Sequence, residues 1–396
     1  MAPRDATGAL ADAYRKFFAS SRTSSSAAKE VIRSGQQEDR VLLPRCRVVR
    51  PGLARRWTAA IAGIALACGP LAACGGSAGS ADPSITLYSG QHEQTVNNLV
   101  AAFRKATGIT VSVRSDDEDT LADQIALQGS HSPADVIYTE NSPPLESLQE
   151  KGLLASLPPA TLARTPARYS SPQGDWVGVS ARTSVLIYDP SLISVSQLPT
   201  QVRQLADPQY RGKLAIAPQE TDFQPIVTAY LKAYGRPATI SWLEALKANA
   251  AGHVYADNET IASEVNRGAA AFGIVNQYYW YRMQAEIGAA NTRARIAHFA
   301  PRDAGYVVDV SGAAVLKSSR HQSAAQRFVA FLVSRQGQEI IASPARSLSF
   351  EYPIASGVTT LSPETPFAQL QPYPITIADL GDGAAAIALM RAAGLL

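Results

Sequence analysis

Residues 85–113 read ITLYSGQHEQTVNNLVAAFRKATGITVSV, and this stretch decides the fold. Residues 85–88 are typical of a short apolar strand, and residues 93–106 carry apolar side chains at helical spacing. Gly108 is typical of the residue that ends a helix, and residues 109–113 alternate as a second strand. A strand, a helix and a strand of these lengths predict an α/β unit with parallel strands.

The same alternation continues along the chain. Further helices are predicted at 120–128, 145–150, 226–234, 242–248, 261–266, 281–287, 322–333 and 337–342. Further strands are predicted at 134–138, 176–181, 185–188, 214–217, 271–275 and 306–316. We therefore expect an α/β fold with a mostly parallel sheet, built from two units of similar size around a cleft, where ligands commonly bind.

The charge of the chain is unevenly distributed. The sequence has 36 Lys and Arg against 33 Asp and Glu, and 12 of the basic but only 5 of the acidic residues lie in residues 1–74. Residues 75–396 keep 24 basic and 28 acidic residues, a net charge of −4. All three Cys also lie in residues 1–74. A nucleic-acid partner is therefore not expected, and neither a disulfide framework nor a CxxC zinc site is predicted.

The junction near Cys74 has the order of a secretory signal. Five Arg residues precede an apolar run at 57–73 that is too short and too rich in Gly and Ala to favour a transmembrane anchor or a buried helix. The run ends in Leu71-Ala-Ala-Cys74-Gly, which resembles a bacterial lipobox. We predict that residues 1–74 are a leader with a lipoprotein signal peptide, that Cys74 is lipidated, and that residues 75–84 are a flexible tether. Translation is expected to start downstream of residue 40.

His92 and Glu140 each follow a predicted strand, in Tyr88-Ser-Gly-Gln-His92 and in Ser132-Pro-Ala-Asp-Val-Ile-Tyr-Thr-Glu140. The carboxyl ends of parallel strands are where α/β proteins bind ligands. Taken singly, a His at a helix start is more often an exposed capping residue, and a Glu in a loop is more often solvated. The two residues indicate a site only in combination with others.

Tyr278 and Tyr279 lie between a predicted strand and the next predicted helix. Aromatic runs more often belong to a core or an interface, but adjacent Tyr residues at such a turn can both face a cleft. A phenolate oxygen suits a hard trivalent cation, because the cation lowers the pKa of the phenol. Two Tyr, one His and one Glu would form an oxygen-rich site for ferric iron, whereas softer metals favour thiolates.

Glu220-Thr-Asp222 follows the strand predicted at 214–217. Acidic residues at a strand end bind cations in some proteins. They also commonly cap helices, and a helix is predicted soon after residue 222. Both interpretations stay open for these two carboxylates.

Four motifs in the same order resemble those of the ferric-iron-binding proteins of bacterial ABC transporters, the bacterial transferrins. They are Tyr88-Ser-Gly-Gln-His92, Ser132 to Glu140, Val275-Asn-Gln-Tyr278-Tyr279-Trp280 and Val310-Ser-Gly-Ala-Ala-Val-Leu-Lys-Ser-Ser319. The resemblance runs from residue 85 to the C-terminus and implies the type II periplasmic-binding-protein fold, in which hinge strands join two lobes around a central cleft. The lobes are expected at 85–182 with 309–358, and at 183–308 with 359–396.

The resemblance also implies the residues of the site and its cargo, ferric iron carried as a transported ligand. Metal ligands are expected at His92, Glu140, Tyr278 and Tyr279. Asn258 and Asn276 match positions that help to hold a synergistic anion in relatives, and Arg182 matches an arginine of the cleft.

One departure from the family concerns that anion. Relatives that hold phosphate offer a small Ser-Gly-Ala-like turn where this chain has Glu220-Thr-Asp222. Two carboxylates at this place would repel phosphate. Either no anion is used, or a carboxylate replaces it as a ligand, and we favour the second interpretation.

These features predict a capture protein and not an enzyme. The closed form alone completes the metal shell, and the loaded protein, a monomer, docks onto an ABC permease with separate ATPase subunits, since the chain has no GxxxxGK[ST] motif. We expect an extracytoplasmic protein, anchored to the cell membrane at the cell surface or in the periplasm through lipid on Cys74. The alternatives are a polyamine, thiamine, phosphonate or oxyanion carrier of the same fold, and a sensor lobe. A secreted hydrolase is disfavoured, because the sequence has no HExxH motif and no GxSxG elbow between a predicted strand and a predicted helix.

Overall fold

The computed structural model of the chain describes residues 84–359 and 364–396. The predicted leader, the lipidation site at Cys74 and residues 75–83 of the tether lie outside this range. The strands are β1 (Ser84–Ser89), β2 (Thr110–Ser115), β3 (Val136–Thr139), β4 (Leu154–Ala155), β5 (Trp176–Tyr188), β6 (Leu214–Ala215), β7 (Phe272–Asn276), β8 (Arg295–Ala297), β9 (Val308–Leu316) and β10 (Tyr352–Pro353).

The helices largely follow the predicted pattern. They are α1 (Glu93–Thr107), α2 (Glu118–Gln128), α3 (Pro143–Glu150), α4 (Pro159–Leu162), α5 (Phe223–Asn249), α6 (Asn258–Asn266), α7 (Gln277–Ile287), α8 (Gln322–Leu332), α9 (Arg335–Ile341), α10 (Pro344–Ser347), α11 (Ile377–Leu380) and α12 (Ala384–Ala392). In the part of the chain that the structure describes, no helix has both the length and the apolar character needed to cross a bilayer.

Capping residues define the ends of several helices. Gly108 ends α1 with a φ of 75°, and its N–H donates to the Arg104 carbonyl, as predicted for a helix C-terminus. The Asp117 side chain accepts from the Thr120 N–H and so caps α2. Within α5, Gly235 has non-helical angles, so that α5 consists of the two helices predicted separately there.

The sheet is mixed. Its strand order is β2-β1-β3-β9-β5-β7-β6, and β4, β8 and β10 pair beside this path. Only the pairs β1–β2, β1–β3 and β6–β7 are parallel, and the other six pairs of described strands are antiparallel. The prediction of a mostly parallel sheet was therefore wrong. Local periodicity indicates each βα unit but not the two long strands, β5 and β9, that run antiparallel through the middle.

β5 was predicted as two strands, at 176–181 and 185–188, and is one strand of 13 residues. The polar residues Arg182, Thr183 and Ser184 suggested a break, but all three are buried and hydrogen-bonded. β5 pairs with β9 up to Thr183 and with β7 from Ser184 onwards. It thereby connects a first half of the molecule, around β1, β2 and β3, to a second half, around β6, β7 and β8.

Each half has an apolar core of its own. In the first half, Leu87 of β1, Phe103 of α1 and Phe328 of α8 are fully buried together, with the two Phe rings 5.0 Å apart. In the second half, Val185 of β5 and Ile261 of α6 belong to the core that also contains the first turn of α7. Burial of such side chains contributes about 1.5–3 kcal/mol each. Each half therefore has a packed scaffold that positions the residues at its strand ends.

Candidate metal centre

His92 and Glu140 meet at the carboxyl ends of two neighbouring parallel strands. His92 follows β1 and precedes α1, and Glu140 follows β3. The His92 side chain makes no capping hydrogen bond. Its Nε2 instead lies 3.0 Å from Glu140 Oε1, and both side chains are mostly buried. His92 is therefore not an exposed helix cap, and Glu140 is not a solvated loop residue.

Tyr278 and Tyr279 lie in the first turn of α7, which begins at Gln277 and not at 281 as predicted. Both side chains are buried, with ring centroids 4.2 Å apart. The His92 ring stands edge-on to them, at 5.4 Å from Tyr278 and 6.4 Å from Tyr279. The Tyr278 hydroxyl lies 3.4 Å from Glu140 Oε2. The structure thus brings together the four residues that were predicted as metal ligands.

Asp222 belongs to the same cluster. Although it precedes α5, its side chain makes no capping hydrogen bond, so the capping interpretation is wrong. Its Oδ1 accepts from Asn141 Nδ2 at 2.9 Å, and its Oδ2 accepts from Asn258 Nδ2 at 2.8 Å. The same Oδ2 lies 3.4 Å from the Tyr278 hydroxyl. A carboxylate from the second half therefore stands beside the phenols.

Glu220 and Asn276 make no hydrogen bond to the Tyr278 or Tyr279 hydroxyl in the part of the chain that the structure describes. Glu220 Oε1 accepts from the Asn258 N–H at 3.3 Å. Burial, followed by the charge of Asp222, raises the pKa of Glu220 to about 8. Asn276 is buried at the end of β7, in register with Ser184 of β5. Among the described residues, no hydrogen bond joins the Asn276 side chain to the cluster.

Arg182 lies next to Tyr278 and Asn141 and is fully buried. Its Nη2 pairs with Glu351, its Nη1 donates to Asn141 Oδ1 at 3.3 Å, and its Cζ is 5.5 Å from the Tyr278 ring centroid. The carboxylate of Glu351 therefore balances the positive charge of Arg182 inside the protein.

Four residues of the centre were missed by sequence reasoning. They are Glu118, Asn141, Arg282 and Glu351. Asn141 follows Glu140 directly, and that adjacency was the one local signal available. Arg282 lies one helical turn after Tyr278, and its Nη1 is 2.8 Å from His92 Nε2 and 3.2 Å from Glu259 Oε1. Glu118 and Glu351 come from distant segments and have no motif around them.

Burial is the largest cause of the shifted pKa values in the centre. Burial raises the pKa of Glu140 well above its usual range, against the opposing charge of Arg182. Burial and then Asp222 raise the pKa values of Tyr278 and Tyr279 well above 10. Burial, followed by the charges of Arg282 and Arg182, lowers the pKa of His92. The site therefore offers a neutral imidazole together with acids whose protons a strongly charged cation would displace.

The donor set selects the kind of cation. Within residues 84–359 and 364–396, no group of three or more His, Cys, Asp and Glu side chains is arranged to hold a metal. A metal at this centre would therefore need the phenols of Tyr278 and Tyr279 beside His92, Glu140 and Asp222. Such an oxygen-rich and anionic set suits a hard trivalent cation better than a soft divalent one.

Comparisons with known proteins agree on the type of molecule. The model for the family described as bacterial extracellular solute-binding protein matches residues 85–343. The Fe(3+)-binding periplasmic protein of Serratia marcescens is 37% identical over 331 residues, which are 84% of this chain and 96% of that protein.

Two solved structures of iron-bound proteins also resemble this chain. Iron-bound HitA from Pseudomonas aeruginosa has 41% sequence identity and a TM-score of 0.75, covering 79% of this chain and 99% of that chain. The Trichodesmium protein IdiA (FutA), in complex with iron and citrate, has 27% identity and a TM-score of 0.68, covering 78% and 99%. The fold expected from the sequence, the two-lobed type II periplasmic-binding-protein fold, is confirmed by this likeness.

Proposed function

The chain belongs to the bacterial extracellular solute-binding proteins and, among them, to the Fe(3+)-binding periplasmic proteins, and on this premise we propose that it captures ferric iron and delivers it to an ABC permease. The relatives named above are iron-binding proteins, which supports iron over a polyamine, thiamine, phosphonate or oxyanion. Each is described by the iron that it binds and not by a reaction, which also agrees with a chain that is not an enzyme.

A single observation carries the proposal. Glu140 of the first half lies 3.4 Å from the Tyr278 hydroxyl of the second half, and Asn141 of the first half donates to Asp222 of the second half at 2.9 Å. His92 lies 3.0 Å from Glu140, so that donors of both halves meet at one place. Such a donor set is complete only when the two halves are in contact. Cargo that binds all of these donors therefore favours the closed arrangement over an open one by its differential affinity. Closure in turn gives a permease a shape by which to recognise the loaded protein.

The two halves correspond to the lobes in this proposal. We assign residues 85–182 with 309–358 to one lobe and 183–308 with 359–396 to the other. β5 pairs with β9 up to Thr183 and with β7 from Ser184 onwards, and this change of pairing partner supports the boundary. Strands that pass from one lobe to the other are natural hinges, because a few residues there absorb the backbone change.

The proposed ligand set is His92, Glu140, Tyr278 and Tyr279, with Asp222 as the additional donor. Two carboxylates and two phenolates carry four negative charges, which slightly exceed the three positive charges of ferric iron. The guanidinium of Arg282, 2.8 Å from His92 and 3.2 Å from Glu259, is shared between Glu259 and this remaining charge. An added dianion such as phosphate would leave a large uncompensated negative charge in a buried site. We therefore assign to Asp222 the place that an exogenous anion would otherwise fill.

Attachment to the membrane is part of the proposal. The lipobox-like sequence before Cys74 supports lipidation of that Cys, and residues 75–83 would then connect the lipid to β1, which begins at Ser84. The protein would function as a monomer on the outer side of the cell membrane, next to its permease and the ATPase subunits.

The proposal is tested by adding ferric iron, as its citrate complex, to purified residues 75–396. We expect a visible absorption band from tyrosinate-to-iron charge transfer and one tightly bound iron per chain. Gallium and zinc salts serve as controls, because gallium is a hard trivalent cation without this band and zinc is softer. A colourless protein that leaves the iron with citrate would remove the iron assignment.

Substitution of Asp222 tests the role of the anion. In the unchanged protein, addition of phosphate is expected to alter ferric affinity by less than about 3-fold, because Asp222 already fills the position. Asp222→Ser frees the amides of Asn141 and Asn258 and removes one charge. We expect this variant to bind iron about 10- to 100-fold more weakly without phosphate and to regain most of that loss when phosphate is added.

Glu220→Gln is the matched control for Asp222→Ser. It also removes an acidic group from the turn, but the hydrogen bond from the Asn258 N–H to its side-chain oxygen is retained. Affinity is measured by competition with citrate, in phosphate-free buffer and with phosphate. A strong phosphate requirement in the unchanged protein would contradict the assignment of Asp222.

A further inference from the structure

The first turn of α2 contacts the second half of the molecule independently of the metal ligands. Asp119 Oδ2 accepts a hydrogen bond from Thr221 Oγ1 at 3.0 Å and another from Gln224 Nε2 at 3.0 Å. Thr221 and Gln224 flank Asp222 in the sequence and belong to the second half. Asp119 thus reaches from one half to the turn that carries the carboxylate beside Tyr278.

Glu118, the neighbour of Asp119, holds the start of α2 in place. Glu118 points inward, where its Oε2 accepts from the Asn141 N–H at 3.0 Å and its Oε1 accepts from Asn141 Nδ2 at 2.9 Å. Close packing against the turn after β1 also holds this end of α2. A Cβ atom at Gly90 would lie 2.5 Å from Glu118 Cβ, so glycine is required there. The start of α2 is therefore tied to the loop that carries Glu140.

Thr221 and Gln224 depend on Asp119 as a partner. Both are buried, at 4% relative exposure each, and buried polar groups need hydrogen-bond partners. Asp119 supplies the acceptor only when the two halves are in contact. Its hydrogen bonds are therefore made in the closed arrangement and lost when the halves separate.

Resting on the proposed function, we propose that Asp119 is a positioning residue for the ferric site, because its hydrogen bonds to Thr221 and Gln224 hold the Glu220–Asp222 turn against the first half. Asp222 and Tyr278 of the second half then lie close to Glu140 of the first half, as the metal shell needs. The residue does not touch the metal. It acts through Asp222, and it slows the loss of iron by stabilising the arrangement in which all ligands are engaged.

The test compares three variants of the iron-loaded protein. Asp119→Ala removes the acceptor, and we expect iron to pass to excess EDTA about 10-fold faster, with a shift in the tyrosinate charge-transfer band. Asp119→Asn removes the charge but keeps a carbonyl oxygen that accepts the same hydrogen bonds, and its release rate is expected to stay within about 3-fold of the unchanged protein. Asp123→Ala removes an exposed carboxylate one turn further along α2 and should change neither rate nor band.

Thr221→Val supplies an independent test of the same contact. If Asp119 acts through Thr221, the double variant Asp119→Ala with Thr221→Val will release iron no faster than Asp119→Ala alone, because each change removes the same hydrogen bond. The thermal unfolding midpoint of the protein before iron loading is expected to be the same for all variants, which separates positioning from general stability.

Two outcomes would overturn the inference while leaving the proposed function intact. One is an iron-loaded Asp119→Ala protein with the band and release rate of the unchanged protein. The other is full additivity of Asp119→Ala and Thr221→Val. An unchanged protein that never develops the band would instead overturn the proposed function and this inference with it.

Discussion

Replacement of Tyr278 with Phe is expected to remove most of the visible band and to weaken ferric affinity by about 1000-fold, or about 4 kcal/mol. The phenol is completely buried among Glu140, Asp222 and His92. Loss of its oxygen removes one anionic ligand from a trivalent cation, and no water can easily replace it in so enclosed a site. The ring itself stays, so packing against Tyr279 is preserved.

Tyr279→Phe is expected to act in the same way, and Tyr281→Phe is the matched control. Tyr281 lies on the same helix, and its ring stacks on Phe350 at 6.0 Å and not on His92. Tyr281→Phe also removes a hydroxyl group, but it should leave both the charge-transfer band and the ferric affinity unchanged. Iron binding is measured by titration against citrate, with circular dichroism to confirm folding. If Tyr278→Phe and Tyr279→Phe both kept the colour and affinity of the unchanged protein, the phenols would not be ligands.

The positions of His92 and Glu140 could be predicted because they obey a local rule. Each residue follows a short apolar strand, and parallel neighbouring strands bring their carboxyl ends to one edge. Tyr278 and Tyr279 follow β7 in the same manner. The rule needs only the end of each strand, and the strand ends were predicted within a few residues. It needs no knowledge of how the strands are ordered in the sheet.

The surroundings of these residues could not be predicted, because they depend on contacts between distant segments. Asp222 meets Asn141 across 81 residues of sequence, and Arg182 meets Glu351 across 169. The side chain of an Asp before a helix looks the same in sequence whether it caps that helix or turns away from it. The amides of Asn141 and Asn258, one on each oxygen of the carboxylate, hold Asp222 turned away from the helix.

The single strand β5 shows the same limit for the fold. Arg182 is a strongly polar residue at the middle of a buried strand, and sequence pattern alone reads it as a break. Its burial is possible because Glu351 supplies the opposite charge, since a buried charge needs a partner. The segment that delivers Glu351 includes Leu348 and Phe350, both with positive φ, and such a path has no periodic signature.

Ferric affinity is expected to fall by at least about 100-fold for each unit that the pH is lowered below neutrality, and by up to about 1000-fold per unit where Glu140 is also protonated. The pKa values of Tyr278 and Tyr279 are raised well above 10 before metal binds, because both phenols are buried near Asp222. Both are therefore protonated throughout the range from pH 5 to 8. Each must release one proton to the solvent when iron binds, which gives a slope of two.

The third proton comes from Glu140, whose pKa is raised well above its usual range by burial. Below that raised pKa the carboxyl is protonated, and binding then releases its proton as well. His92 adds none near neutrality, because its lowered pKa keeps the imidazole neutral. Protonation of any of these groups changes iron binding in the same direction. Acid restores protons that the metal must displace, so acid weakens binding and an acidic compartment would favour release.

The slope is measured from the logarithm of ferric affinity against pH between 5 and 8, with a competing chelator whose own protonation is known. Tyr279→Phe removes one of the two phenolic protons, so its slope should be smaller than that of the unchanged protein by one. Tyr281→Phe, whose ring stacks on Phe350 and not on His92, should keep the slope of the unchanged protein. A flat profile in the unchanged protein would mean that the phenols do not deprotonate, and it would exclude tyrosinate coordination even if iron still bound.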